Sequence, residues 1–208
     1  MSSMGLSDLV EDLRGMLMTA GDKFDAEGLA FARHLQTAAL DLGRFRRRTL
    51  AASLTLIADQ EAYAAPANFV QYKITTWGDR ARSQRQPWDK NFPGSPPRVT
   101  VVETAQNGLE LHLWPVPSAG QISDLGASFP FFYYAGHVLN ETPALTTVRP
   151  ADRHLLLIRA VAAALQELAH RGSTQPVKLG DGFGAMAKNG TPASLASDAL
   201  ELFERMAA

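Results

Sequence analysis

The sequence predicts an α+β fold: a small helical bundle interrupted by an antiparallel block of strands and followed by a tethered C-terminal helix. Three observations carry this. Apolar residues recur at helical spacing over residues 6–43 and again from Pro150 onward. Between those stretches the period falls towards two, with β-branched and aromatic residues enriched. A glycine-rich stretch, 172–190, then precedes one last amphipathic segment.

Leu6, Leu9, Val10, Leu13, Met16 and Leu17 form one stripe of a first helix over 6–19, with Ser7 or a nearby serine as its cap. Gly21 breaks it. Asp22 is placed to cap a second helix over 23–43, with Phe24, Phe31, Leu35 and Leu42 facing inward. Beyond Gly43, strands are expected over Leu50–Ile57, Ala62–Ala64 and Phe69–Trp77. Residues 79–97 are polar and proline-rich and read as a long loop. Arg98–Thr104 and Leu109–Trp114 flank Gln106-Asn107-Gly108 and read as a hairpin, since Asn-Gly favours the tight turn. Pro115 and Pro117 cannot donate to a ladder, so they end the second strand and are expected to blunt an exposed sheet edge. Gln121–Leu125 and Pro130–His137 supply further extended pieces. Pro150 opens a long helix whose face holds Leu155, Ile158, Ala162, Leu165 and Ala169, widened by Leu156, Val161 and Leu168. It should be the most buried helix and should end near His170-Arg171-Gly172. Thr191-Pro192 starts the last helix, with Leu195, Ala199, Leu202, Phe203 and Met206 as its apolar stripe. The expected organisation is a core over 1–171, made of helices 6–43 and 150–171 around a β insertion 44–140, plus a tether and docking helix over 172–208.

The 208 residues carry 20 basic and 21 acidic side chains, so no global field draws the chain to nucleic acid or a membrane. The charge is segmental: residues 1–43 hold 3 basic and 7 acidic side chains, 44–98 hold 10 and 4, and 99–208 hold 7 and 10. A basic middle suits either DNA or acidic neighbours in this chain or the next subunit. The chain has no cysteine, which excludes disulfides, thiolate zinc sites and a cysteine nucleophile. Asp8, Glu11 and Asp12 interrupt the first apolar run, unlike a secretory leader, and no run is long enough to span a bilayer.

Chemical motifs are sparse. His34, His112, His137, His154 and His170 make no metal-ligand spacing. Gly180-Asp181-Gly182-Phe183-Gly184 follows no strand and has no Walker lysine, so it reads as a linker. No nucleophile elbow is present. No cofactor and no catalytic set is expected. Arg44-Phe45-Arg46-Arg47-Arg48 is the strongest charge feature. It fits a phosphate backbone, or a helix-to-strand corner whose arginines cap carbonyls and pair with Asp41, Glu61 or a neighbouring subunit. Arg80, Arg82, Arg85 and Lys90 in the long loop admit the same two readings.

One joint pattern points further. Two N-terminal helices are followed by ADQEAYAAPANFVQY (58–72), LELHLWPVPSAG (109–120), FPFFYYAG (129–136) and the alanine-rich HLLLIRAVAAALQELA (154–169). In order and spacing over about residues 5–170, this resembles the head–tail adaptor (connector) proteins of tailed phages and gene transfer agents. The resemblance implies a structural virion protein, made in the bacterial host cytoplasm and placed at the head–tail junction. It implies a homo-oligomeric, dodecameric ring between the portal protein and the stopper or tail-completion protein. DNA would pass through the ring without sequence specificity, and no membrane or enzymatic activity is implied. Portal docking would fall to 172–190 and to Leu195, Ala199, Leu202, Phe203 and Met206. Arg46, Arg47 and Arg48 would face the DNA channel or the next subunit. The proline-rich 79–97 loop departs from the family pattern. Two alternatives stand beside this one: a small enzyme with a cleft in the β block, using His112 or His137 with Asp124 or Glu141, and a DNA-binding protein using Arg44–Arg48.

Overall fold

The computed structural model describes all residues except 1–2, 25–27, 90–91, 107, 173–176, 178 and 180–189. It is α+β and divides into two units. A helical unit comprises Met1–Arg47 and Gly136–Ala208, and a strand unit comprises Arg48–Ala135.

In the helical unit, α1 (Leu6–Leu17) buries Leu9, Leu13 and Leu17, the central rungs of the expected stripe. Its cap is not a local serine. The Leu6 amide donates to the Asn140 carbonyl at 3.0 Å and the Ser7 amide to Glu141 Oε2 at 3.3 Å. A distant carboxylate thus sits at the positive end of the helix dipole. The second helix starts later than its period suggests. A 3₁₀ turn occupies Met18–Lys23, and α2 (Leu29–Phe45) begins only after Gly28, at φ 77°. That left-handed conformation strains any side-chain-bearing residue, so the break is local. Phe24, Phe31, Leu35 and Leu42 are nevertheless all buried as expected, with the Phe24 and Phe31 rings 5.3 Å apart.

A 3₁₀ turn at Pro150–Asp152 leads into α5 (Arg153–His170), which buries ten residues and is the central rod of this unit. The expected C-terminal separation does not hold. The last helix, α6 (Pro192–Ala207), packs along α5 and shares its core, because Leu195, Ala199 and Phe203 bury their apolar surface there. The Gly-rich 180–184 motif and most of the expected tether lie outside the described residues.

The strand unit contains two three-stranded antiparallel sheets. β1 (Arg48–Thr55), β6 (Ser128–Ala135) and β3 (Phe69–Thr75) form the first, in the order β1-β6-β3. β2 (Ala62–Ala64), β5 (Gly108–Trp114) and β4 (Arg98–Thr104) form the second, in the order β2-β5-β4. Along β6, Phe129, Phe131, Tyr133 and Ala135 alternate inward and join Leu111, Leu113, Trp77 and Tyr63 in one core. The insertion is therefore 48–135, a few residues shorter at each end than expected.

Three local expectations are overturned here. β5, the strand ending in Trp114-Pro115, is the central strand of its sheet. Its prolines terminate a paired strand and blunt no edge. Residues 121–125 are not extended: α4 (Ala119–Leu125) starts with a capping box in which Ser118 Oγ accepts from the Gln121 amide and Gln121 Oε1 accepts from the Ser118 amide. The 79–97 loop opens with a short helix, α3 (Asp79–Ser83).

Candidate functional site

The C-terminal helix places its five singled-out residues unequally. Leu195 (4% exposed), Ala199 (0%) and Phe203 (1%) lie in the core of their own unit. The Phe203 ring meets Phe45 edge-on at 5.4 Å. Leu202 is half-buried against the same core, and Met206 is 44% exposed. Docking on a second protein through the buried three requires α6 to leave α5.

The arginine run is a helix-to-strand corner. Arg46 caps α2, donating its amide to the Leu42 carbonyl. The Arg46 carbonyl accepts from His137 Nε2 at 2.8 Å, an assignment that makes this ring nitrogen the protonated one. The Arg46 guanidinium lies 3.6 Å from buried Asp152, whose other oxygen accepts from Arg149 Nε at 2.7 Å. Arg44 pairs with Asp41 at 3.7 Å, and Asp41 is held more closely by Arg159, at 2.5 and 2.8 Å. Glu61, the other expected partner, pairs elsewhere. Two of the four arginines thus spend their charge inside the helical unit, while Arg47 is exposed and Arg48 half-buried at the start of β1.

The expected catalytic pairings are not formed. His112 lies between Glu61 (Nδ1 to Oε1, 3.1 Å) and Glu110 (Nε2 to Oε2, 3.4 Å), not with Asp124. The hydrogen bond to Glu61 holds its pKa above the usual imidazole value; desolvation opposes this, and Glu110 reinforces it. His137 serves the Arg46 carbonyl, and Glu141 caps α1.

Sequence patterns did not show a second histidine cluster. Buried His34 of α2 lies 3.2 Å from Glu167 of α5, which also receives Arg33 at 2.8 Å and Arg171. Burial pushes His34 below 6.5, against the pull of Glu167. Burial raises Glu167 itself, but the Arg33 hydrogen bond and the nearby His34 and Arg171 charges outweigh it, so its pKa is lowered. Isolated as i to i+133 in sequence, this pair gives no periodic signal. It is a structural latch between α2 and α5.

Described residues of the helical unit line two recesses of note. One, of about 440 Å³, is lined by Glu11, Asp12, Met16, Arg153, His154 and Leu157, with Arg153 and Asp12 ion-paired within it. The other, of about 220 Å³, lies between Leu40, Ala39, His137 and Leu139. Among the described residues no group of histidines and carboxylates is arranged to hold a metal ion, and no helix is long and apolar enough to cross a membrane. In the 79–97 loop Trp88 is 81% exposed. The turn that presents it is built from the Gln86 amide donating to Asp89 Oδ2 at 2.7 Å and the Asp89 amide to the Gln86 carbonyl at 2.9 Å. Lys90 lies outside the described residues.

No family model matches the chain, and no curated protein matches it in sequence.

Proposed function

We propose that this protein is a structural head–tail adaptor: a subunit of a ring between a portal and a stopper or tail, through which DNA passes. The observation that carries this reading is the chain's organisation. Both ends of the sequence build one helical unit, and the strand unit 48–135 is inserted between them. That is the order on which the resemblance to phage and gene-transfer-agent adaptors rests. The chemistry of the side chains favours the same reading. His34, His112 and His137 engage carboxylates or the backbone as structural ties, and Arg44 and Arg46 of the arginine corner pair with Asp41 and Asp152. A specific DNA reader would instead need a continuous basic face with groups free to reach base edges.

In this reading α6 belongs to the subunit's own core, and contact with a portal uses its outer residues, Met206 among them, or follows release of the helix. The test is the mass by light scattering of the purified protein, alone and mixed with the portal protein encoded beside it. A ring, or a stoichiometric portal complex, is the expected result. A monomer that ignores the portal protein overturns the reading.

A further inference from the structure

We infer that neighbouring subunits join by strand addition: the free edge of β1 pairs antiparallel with the free edge of β4 in the next copy. The inference rests on the ring reading and supplies its subunit contact.

Backbone polarity identifies the edges. The Leu56 amide donates to the Ala127 carbonyl at 2.7 Å, and the β1–β6 register runs on from that pair. Antiparallel ladders alternate, so the even residues of β1 bond to β6, and Thr49, Ala51, Ser53 and Thr55 point their amides and carbonyls away from it. The side chains of these four residues are exposed. In the second sheet, Leu113 donates to Glu61 and Ala65 to Leu109, so the odd residues of β5 bond on the β2 side. Its even residues then bond to β4, in the register that pairs Thr100 with His112 and Val102 with Glu110. Val99, Val101 and Glu103 are left pointing outward.

The third long edge is unsuitable. β3 has register shifts between Phe69 and Gln71 and between Tyr72 and Ile74, and bulges of this kind blunt an edge. β1 and β4 pair in unbroken register, and β1 carries no charge or proline from Thr49 to Thr55. A bare, regular edge of that kind invites another strand. Because the two edges differ, their contact is heterologous, and repetition of such a contact gives rings or filaments.

Charge and shape select the occupant. Parallel pairing would set Arg48 beside Arg98, whereas antiparallel pairing sends them to opposite ends. In the register Thr49 to Glu103, Ala51 to Val101 and Ser53 to Val99, outward residues meet outward residues. Glu103 then lies on the same face as Lys73, whose ammonium sits 3.4 Å from Thr49 Oγ1 and over the Tyr134 ring. Val101 (38% exposed) extends the apolar row of Ala51, Phe132 (37%) and Ile74 (55%), neighbours in the first sheet. Opposite charges and an apolar row on one face support strand pairing.

The natural lack of cysteine permits a clean test. Opposed residues of an antiparallel pair lie about 4.5–5.5 Å apart between α-carbons, within disulfide range. The double variant Ala51→Cys/Val101→Cys, oxidised in the presence of the portal protein, should give a covalent ladder of multimers. Each single variant should give none. Ala51→Pro removes an amide that bonds to nothing within its own sheet, so the subunit should fold but lose assembly. Lys73→Glu or Glu103→Lys should weaken assembly, and the two together should restore it. Assembly of wild-type protein without a ladder, with Ala51→Pro assembling normally, overturns the strand contact and leaves the ring reading intact. A covalent dimer that goes no further also overturns the contact, as it reports a two-fold pairing. Wild-type protein that never assembles overturns both.

Discussion

Replacing Phe203 by alanine tests whether α6 is part of its own subunit's core. Phe203 is 1% exposed and meets the Phe45 ring edge-on at 5.4 Å. Truncating a buried phenylalanine costs about 3–5 kcal/mol, the sum of lost transfer energy and the cavity left behind. Phe45 is 40% exposed, so this cavity opens partly to water and the lower figure, about 3 kcal/mol, applies. With a urea m-value of about 2–3 kcal/mol/M, the midpoint of the helical unit should fall by about 1–1.5 M. The readout is urea unfolding followed by helical circular dichroism. Met206→Ala, at a 44% exposed position on the same helix, should stay within about 0.5 kcal/mol of wild type. A Phe45→Ala/Phe203→Ala cycle should show a coupling of about 0.5–1.5 kcal/mol. A Phe203→Ala midpoint no lower than that of Met206→Ala would refute the packing and return the apolar stripe to the role of a free docking face.

Further outcomes follow from the polar clusters. His34 should titrate below 6.5 by NMR, and Glu167→Gln should lower it further by removing the carboxylate whose attraction raises it. Since its folded pKa is depressed, the His34 contribution to stability is present above about pH 6.5 and is lost as pH falls through the folded value. His112 has the opposite sign: its raised pKa gives stability that is full below 6.5 and disappears as pH rises through the folded value. The double variant Glu61→Gln/Glu110→Gln should lower its NMR titration, because the carboxylates that raise it are gone while desolvation remains. Tyr63→Phe should destabilise the strand unit by about 1–3 kcal/mol in thermal unfolding, because the Ile57 amide loses its 3.0 Å acceptor. The triple variant Arg46→Ala/Arg47→Ala/Arg48→Ala should show no loss of sequence-specific DNA binding in a titration at low salt, as the wild type should have none to lose.

Much of the fold was legible because the inward-facing residues repeat locally. The alternation of Phe129, Phe131 and Tyr133 and the α5 stripe each place a strand or helix correctly from neighbours alone. The α4 helix, expected as an extended piece over Gln121–Leu125, has its local signal in Ser118-Ala119-Gly120-Gln121, whose ends form the capping box. Where α2 begins depends on the left-handed Gly28, a backbone choice that periodicity does not report.

The sequence by itself determined the types of the main helices and strands, the inserted block and the absence of thiol chemistry, since periodicity and residue inventory are local properties. Only the tertiary structure decided that β5 is central, that β1 and β4 are the regular edges, and that the apolar stripe of α6 is covered by α5. Strand order and helix docking depend on which apolar faces meet across the chain, and many pairings satisfy the same pattern. The α1 cap from Glu141 and the His34–Glu167 latch arose in the same way, between residues more than a hundred positions apart.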